Sequence, residues 1–153
     1  MKIIDALPKE AIIPDLKATD KKGVIEELSA PLSKIASINF NELVHILLER
    51  ERLGSTGVGG GIGIPHGKLK SLESLILGFG ISQQGVDFDS IDKKPAHIFF
   101  LLLTPENSIE LHLKLLAKIS MILKNDLFKK QLIESANCDD IINRIKKEEE
   151  KIQ

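Results

Sequence analysis

The run "AHIFFLLLT" (96–104) restricts what this chain can become more than any other stretch. Its apolar residues do not alternate with polar ones, so a strand here is buried on both faces. Its clean apolar part, Ile98–Leu103, is far shorter than the roughly 20 residues that cross a bilayer. "SLILGFGIS" (74–82) reads as a second strand, and "QQGVDFDSIDKKP" (83–95) between them has turn composition. Helical spacing surrounds the pair. Thr19 or Asp20 caps a helix carrying Val24, Ile25, Leu28, Leu32 and Ile35. Pro31 falls inside it and removes the hydrogen bond to the Glu27 carbonyl, which predicts a kink or break. Asn39 and Glu42 resemble a capping box for a helix ending near Leu53, with Phe40, Leu43, Val44 and Leu47 on its apolar face. Pro105, then Asn107 with Glu110, opens a helix to about Leu123, with Asn125 as its C′ residue. Asp126–Ser135 and Asp139–Glu149 complete the helices, the last with a charged, fraying end. Strands and helices intermix, so the expected fold class is α/β, and 153 residues suit one domain.

Apolar residues make up 42% of the chain, Phe is the only aromatic, and the net charge is -1. Such a balance offers no basic footprint for nucleic acid. One cysteine, Cys138, excludes a disulfide within the chain and fits a reducing compartment. The N-terminus lacks the unbroken apolar stretch of a signal peptide. A cytoplasmic protein without membrane insertion is expected.

The stretch "GVGGGIGIPHGKLK" (57–70) carries the chemistry. It is not a nucleotide loop. The dinucleotide pattern needs a third glycine at Ile64, and the P-loop pattern needs glycine at Ile62 and Ser or Thr at Leu69. Gly57, Gly59, Gly60, Gly61 and Gly63 instead let the backbone turn tightly and lie close to another surface, such as a partner's backbone. Ser55 and Thr56 add hydroxyls, and Pro65 fixes the chain just before His66. This arrangement sets one imidazole on a rigid, exposed ledge. A plain surface histidine in a glycine loop is the competing reading.

"STGVGGGIGIPHGK" (55–68) resembles the active-site segment of enzyme IIA, type 2, of the phosphoenolpyruvate-dependent phosphotransferase system, the fructose/mannitol family. That pattern runs roughly S-T-G-hydrophobic-G-x-G-hydrophobic-A/G-hydrophobic-P-H. "ERERLGSTG" (49–57) and "PHGKL" (65–69) look like its nitrogen-regulatory branch, "FDSIDKKPAHIFFLLLTP" (88–105) is similar to the segment leading to a later buried strand, and "HLKLLAKIS" (112–120) resembles the helix with a second histidine. Gly63 departs from the branch's usual Ala, a change expected to loosen the loop slightly. The resemblance implies one domain over 1–153, with a core of about 3–146, a mixed β-sheet flanked by helices and a charged C-terminal tail. It implies that His66 accepts phosphate from a histidine-phosphocarrier protein. Arg50 and His112 become its active-site neighbours, and Ser55, Thr56 and Gly57 the phosphate-binding residues. No cofactor or metal is implied.

The residue types suit that chemistry. A neutral imidazole is a good nucleophile near pH 7, and its P–N bond stays reactive enough to pass the group on. A phosphoryl group in transfer carries charge on three oxygens, which a planar arginine fork can face. Arg50 follows Ile46 and Leu47 by four and three residues, on their inward face, although a solvated arginine in "ERER" fits as well. Arg52 falls off that face. His112 lies in the stripe Ile109, His112, Leu115, Leu116, Ile119, as a core histidine or a cleft residue. Lys68 reads equally as a phosphate contact or a surface lysine. His45 is expected exposed and His97 at a strand end. Asp87, Asp89 and Asp92 lack the glycine and terminal glutamate of a calcium loop and read as turn residues. Cys138 reads as a small cap or core residue rather than a phosphoryl acceptor.

No IIB or membrane domain follows, so a stand-alone IIA is expected. It acts as a regulatory IIA on a target protein, or passes phosphate to a IIB subunit for sugar uptake. A non-covalent anion- or protein-binding module is the alternative class. Which imidazole nitrogen is phosphorylated stays open at this stage.

Overall fold

The computed structural model describes residues 1–152. In chain order the elements are α1 (Ile3–Ala6), a 3-10 turn (Lys9–Ala11), β1 (Ile12–Ile13), α2 (Lys21–Ile35), α3 (Phe40–Arg52), β2 (Gly57–Gly59), β3 (Ile62–Gly63), β4 (His66–Leu69), β5 (Ile76–Val86), β6 (Ala96–Pro105), α4 (Ile109–Ile122), α5 (Asp126–Ile133) and α6 (Cys138–Glu150). The sheet is mixed, in the order β1-β5-β6-β3-β2, with β4 also paired to β6. The antiparallel β5–β6 ribbon is its centre, with Phe79 opposite Phe100.

Strand alternation divides the core in two. Ile98, Phe100 and Leu102 of β6 join Leu77, Phe79 and Ile81 of β5 beneath α4, α5 and α6. Phe99, Leu101 and Leu103 face the other way, against Leu28 and Leu32 of α2 and Leu43 and Leu47 of α3. Both faces of β6 are therefore covered, as the unbroken apolar run requires. Each fully buried side chain of this size contributes about 1.5–3 kcal/mol. On β5 the α2 side is floored by Gly80; a Cβ there would stand 2.8 Å from Leu16 and 2.9 Å from Leu28, so glycine is what lets α2 seat.

Several local expectations are corrected. Pro31 does not break α2, which continues to Ile35 after its Asp20 cap accepts from the Gly23 amide. Packing of Val24, Ile25, Leu28 and Leu32 outweighs one missing hydrogen bond. The α4 cap position falls on Ser108, which makes no side-chain bond, and not on Asn107. Asn125 is an N-cap: its side chain accepts from the Phe128 amide and starts α5. The end of α6 is anchored. Glu149 is 2% exposed, and both its oxygens accept from the Ile3 amide at 2.8 and 2.9 Å.

The glycine-rich stretch is largely sheet. β2 and β3 form a tight hairpin turned by Gly59, Gly60 and Gly61, all with φ between 67° and 89°. β3 and then β4 run parallel along the same edge of β6, with Ile62 opposite Ile98 and His66 opposite Leu102. Pro65 sits at the break between them, its carbonyl accepting from the Leu102 amide at 3.0 Å. Among the described residues no helix is long and apolar enough to cross a membrane.

Candidate active site

β4 places His66 and Lys68 on one face and Gly67 and Leu69 on the other. Gly67 backs onto α3, where a Cβ would stand 3.1 Å from Ile46. The opposite face looks toward α4, which carries His112. The rings of His66 and His112 meet edge to face, 5.3 Å apart at 65°. Arg50 arrives from the end of α3. A cavity of about 390 Å³ lies among these groups, lined also by Ile46, Lys68, Ile109 and Leu113. A larger hollow of about 450 Å³ beside Pro8, Ile35 and Leu72 has no cation in its lining and cannot match this one for binding an anion.

His66 is half-buried, and its Nδ1 lies 2.9 Å from the Ile64 carbonyl. A carbonyl only accepts, so Nδ1 carries the proton and Nε2 keeps a free lone pair. Burial, above all, holds the His66 pKa below its ordinary value, and the charges of Arg50 and Lys68 push the same way. The Ile64 carbonyl and Glu51 oppose them. His112 is lowered as well, chiefly by burial and then by His66 and Lys68. Both rings are therefore neutral near pH 7. His112 Nδ1 lies 2.8 Å from the buried Thr104 hydroxyl. The Arg50 guanidinium donates to the Gly54 carbonyl at 2.7 Å, close to the cavity rather than across it.

The structure thus gathers His66, His112, Arg50 and Lys68. It does not bring Ser55, Thr56 and Gly57 to the cavity lining. Ser55 Oγ donates to the Phe88 carbonyl at 2.7 Å and accepts from the Gly57 amide at 3.0 Å. Thr56 is buried, with its hydroxyl donating to the Glu51 carboxylate and its amide donating to the same group at 3.1 Å. Glu51, overlooked within "ERER", is the hub of this network. Lys21 pairs with it at 3.0 Å, reaches Asp89 at 3.1 Å and lies over the Phe88 ring. A Cβ on Gly57 would stand 2.9 Å from Ser90 Cα, so its close approach serves this chain's own 88–90 segment. Asp92 accepts from the Gly60 amide at 3.0 Å and pins the hairpin. These residues hold the ledge; they do not face the cavity.

Other candidates fall as their spacing predicts. His45 and Arg52 are exposed, the latter paired with Glu49. His97 Nδ1 meets the Ser82 carbonyl at 2.8 Å. Cys138 opens α6, with its thiol 3.6 Å from the Ile12 carbonyl.

Two neutral histidines, an arginine and a lysine thus stand around one small hollow, on a mixed sheet flanked by helices. The chain belongs to the EIIA 2 family of the phosphoenolpyruvate-dependent sugar phosphotransferase system, whose family model matches residues 5–148. It is 40% identical over 141 residues to a nitrogen regulatory protein of Bradyrhizobium diazoefficiens, covering 92% of each chain. It is 36% identical over 146 residues to the fructose-specific EIIABC component of Bacillus subtilis, covering 95% of this chain and 23% of that one. The solved structure of nitrogen regulatory protein IIA-Ntr from Neisseria meningitidis superposes with a TM-score of 0.89 at 30% identity, covering 94% of this chain and 98% of the other. The IIA mannitol structure from Escherichia coli shares the fold, with a TM-score of 0.77 at 21% identity over 90% of this chain and 97% of that one.

Proposed function

We propose that this protein is a cytoplasmic phosphoryl carrier that takes phosphate onto Nε2 of His66 from a histidine-phosphocarrier protein. The observation that carries the reading is the Nδ1 hydrogen bond to Ile64, which reserves the other nitrogen's lone pair for attack. Nε2 attacks the donor's phosphorus in line. The new P–N bond forms as the donor's P–N bond breaks, and that electron pair returns to the donor's nitrogen. The His66 ring gains positive character, which the Ile64 carbonyl faces directly. Arg50 leaves the Gly54 carbonyl and, with His112, supports the phosphoryl oxygens, while Lys68 adds charge from β4. Ser55, Thr56 and Gly57 act at one remove, by holding the hairpin ahead of His66. A covalent phosphohistidine is thus the working state, with no cofactor.

The regulatory use is favoured by the 40% identity to a nitrogen regulatory protein over nearly the whole chain. Phosphorylation adds about two negative charges at the cavity and so changes which target protein docks there. A second reading, transfer to a IIB subunit during sugar uptake, is favoured by the likeness to a fructose-specific component. Presenting the phosphorylated protein with IIB subunits separates the two.

The test is intact mass after incubation with phosphoenolpyruvate, enzyme I and the histidine-phosphocarrier protein. One acid-labile, alkali-stable phosphoryl adduct is expected, absent in His66→Ala. Arg50→Ala and His112→Ala should fold and accept phosphate roughly 10²–10³-fold more slowly, as for loss of one oxyanion donor. Wild-type protein that gains no adduct rejects the carrier reading and favours a non-covalent module.

A further inference from the structure

Thr104 belongs to the most apolar strand of the molecule, yet it presents a hydroxyl. It is 0% exposed, and register sets it directly beside Lys68 and two residues along from Leu102, the partner of His66. Alternation along β6 turns it to the same face as Phe100 and Leu102, beneath α4. Among the described residues its hydroxyl has one side-chain or backbone partner, Nδ1 of His112, at 2.8 Å.

We infer that Thr104 is a positioning residue: its hydroxyl donates to Nδ1 of His112 and keeps that ring's proton on Nε2, the nitrogen left to the cavity shared with His66. A hydroxyl holds one hydrogen and must place it somewhere. If Nδ1 carried the ring proton, it would donate to Oγ1, and the hydroxyl hydrogen would point into packed side chains with no acceptor. A buried donor left unmade is costly, so the arrangement that satisfies both atoms prevails. In that arrangement Nδ1 is bare and Nε2 bears the hydrogen.

The two rings are then locked in opposite tautomers by different means. His66 is fixed by the Ile64 carbonyl, which only accepts, and so shows a lone pair. His112 is fixed by a hydroxyl that donates, and so shows an N–H. One ring presents a nucleophile and its neighbour, 5.3 Å away, presents a hydrogen-bond donor. This division of labour rests on the carrier reading above: the Nε2–H of His112 is where a phosphoryl oxygen on His66 needs a donor. Thr104 touches neither the phosphate nor the donor protein and acts only through His112.

Long-range proton–nitrogen NMR of the imidazoles, in the full unphosphorylated protein above the titration range of both rings, reads the tautomers directly. The expected spectrum has His112 protonated on Nε2 and His66 on Nδ1. Thr104→Ser should keep it. Thr104→Val, equal in shape but without the hydroxyl, should mix the His112 tautomers and slow phosphoryl acceptance about 2- to 10-fold, the worth of one neutral hydrogen bond. Wild-type His112 carrying its proton on Nδ1 overturns the inference. So does Thr104→Val with an unchanged spectrum, or with a changed spectrum and an unchanged rate. The spectra involve no phosphoryl transfer, so a wild type that shows the tautomers but takes no phosphate sinks the carrier reading alone.

Discussion

His66 keeps a lone pair free because its other nitrogen is occupied, and stays uncharged because the fold covers it. Burial is the main cause of its lowered pKa, with Arg50 and Lys68 adding to it. An NMR titration should therefore place His66 below the ordinary histidine value of about 6.5. Arg50→Met removes one lowering charge, so the His66 pKa should rise while remaining below 6.5, since burial persists. A value at or above 6.5 in the wild type would contradict the covered geometry. The linked stability has a definite sign. On acidification the unfolded chain takes up its proton first, so the favourable term is fully present above about 6.5. It is lost as pH falls from there toward the folded-state value. The arm of Arg50 reaches the cavity from the last turn of α3, a placement that its position in "ERER" did not decide.

At the scale of elements, β3 and β6 are fitted to each other through one glycine. Gly63 is buried in a strand, and a Cβ there would stand 2.8 Å from two carbons of the Phe99 ring. The expectation of a loosened loop gives way to one of close fit: glycine makes room for Phe99. Gly63→Ala should destabilise by about 1–3 kcal/mol, the range for overpacking a filled core. Adding Phe99→Leu should recover much of the loss, read as a non-additive double-mutant cycle by denaturant unfolding. Additive losses would break the account.

The same elements show what the sequence discloses. The period of 3.6 in 40–52 and the unbroken run in 96–104 placed α3 and β6 within a residue or two, because their side chains report their faces. Glycine has no side chain to alternate, so β2, β3 and the turn between them were invisible as sheet. Asn125 misled because asparagine serves at either end of a helix. His66 announced itself through its motif, and His112 and Arg50 through the family likeness. Glu51 and Thr104 did not: the roles of a buried carboxylate and a buried hydroxyl depend on partners brought in by the fold.

For the molecule as a whole, a domain of this kind holds only about 5–15 kcal/mol in reserve. The contact between Glu149 and the Ile3 amide is therefore large on that scale. Glu149→Ala leaves a buried N–H unmatched and should cost about 1–3 kcal/mol. That corresponds to a fall in Tm of several degrees, with Glu149→Gln restoring part of it through its remaining acceptor oxygen. An unaltered Tm in Glu149→Ala would show the contact to be incidental. Lys118 strengthens the same junction, donating to the Met1 carbonyl at 2.7 Å and lying 3.6 Å from Glu149. The final turn of α6 is thus a clasp rather than a tail. Trimming the chain just before it would also release the opening helix, so digestion that nibbles at one extremity should unfasten the other, on the side of the sheet where α4 carries His112.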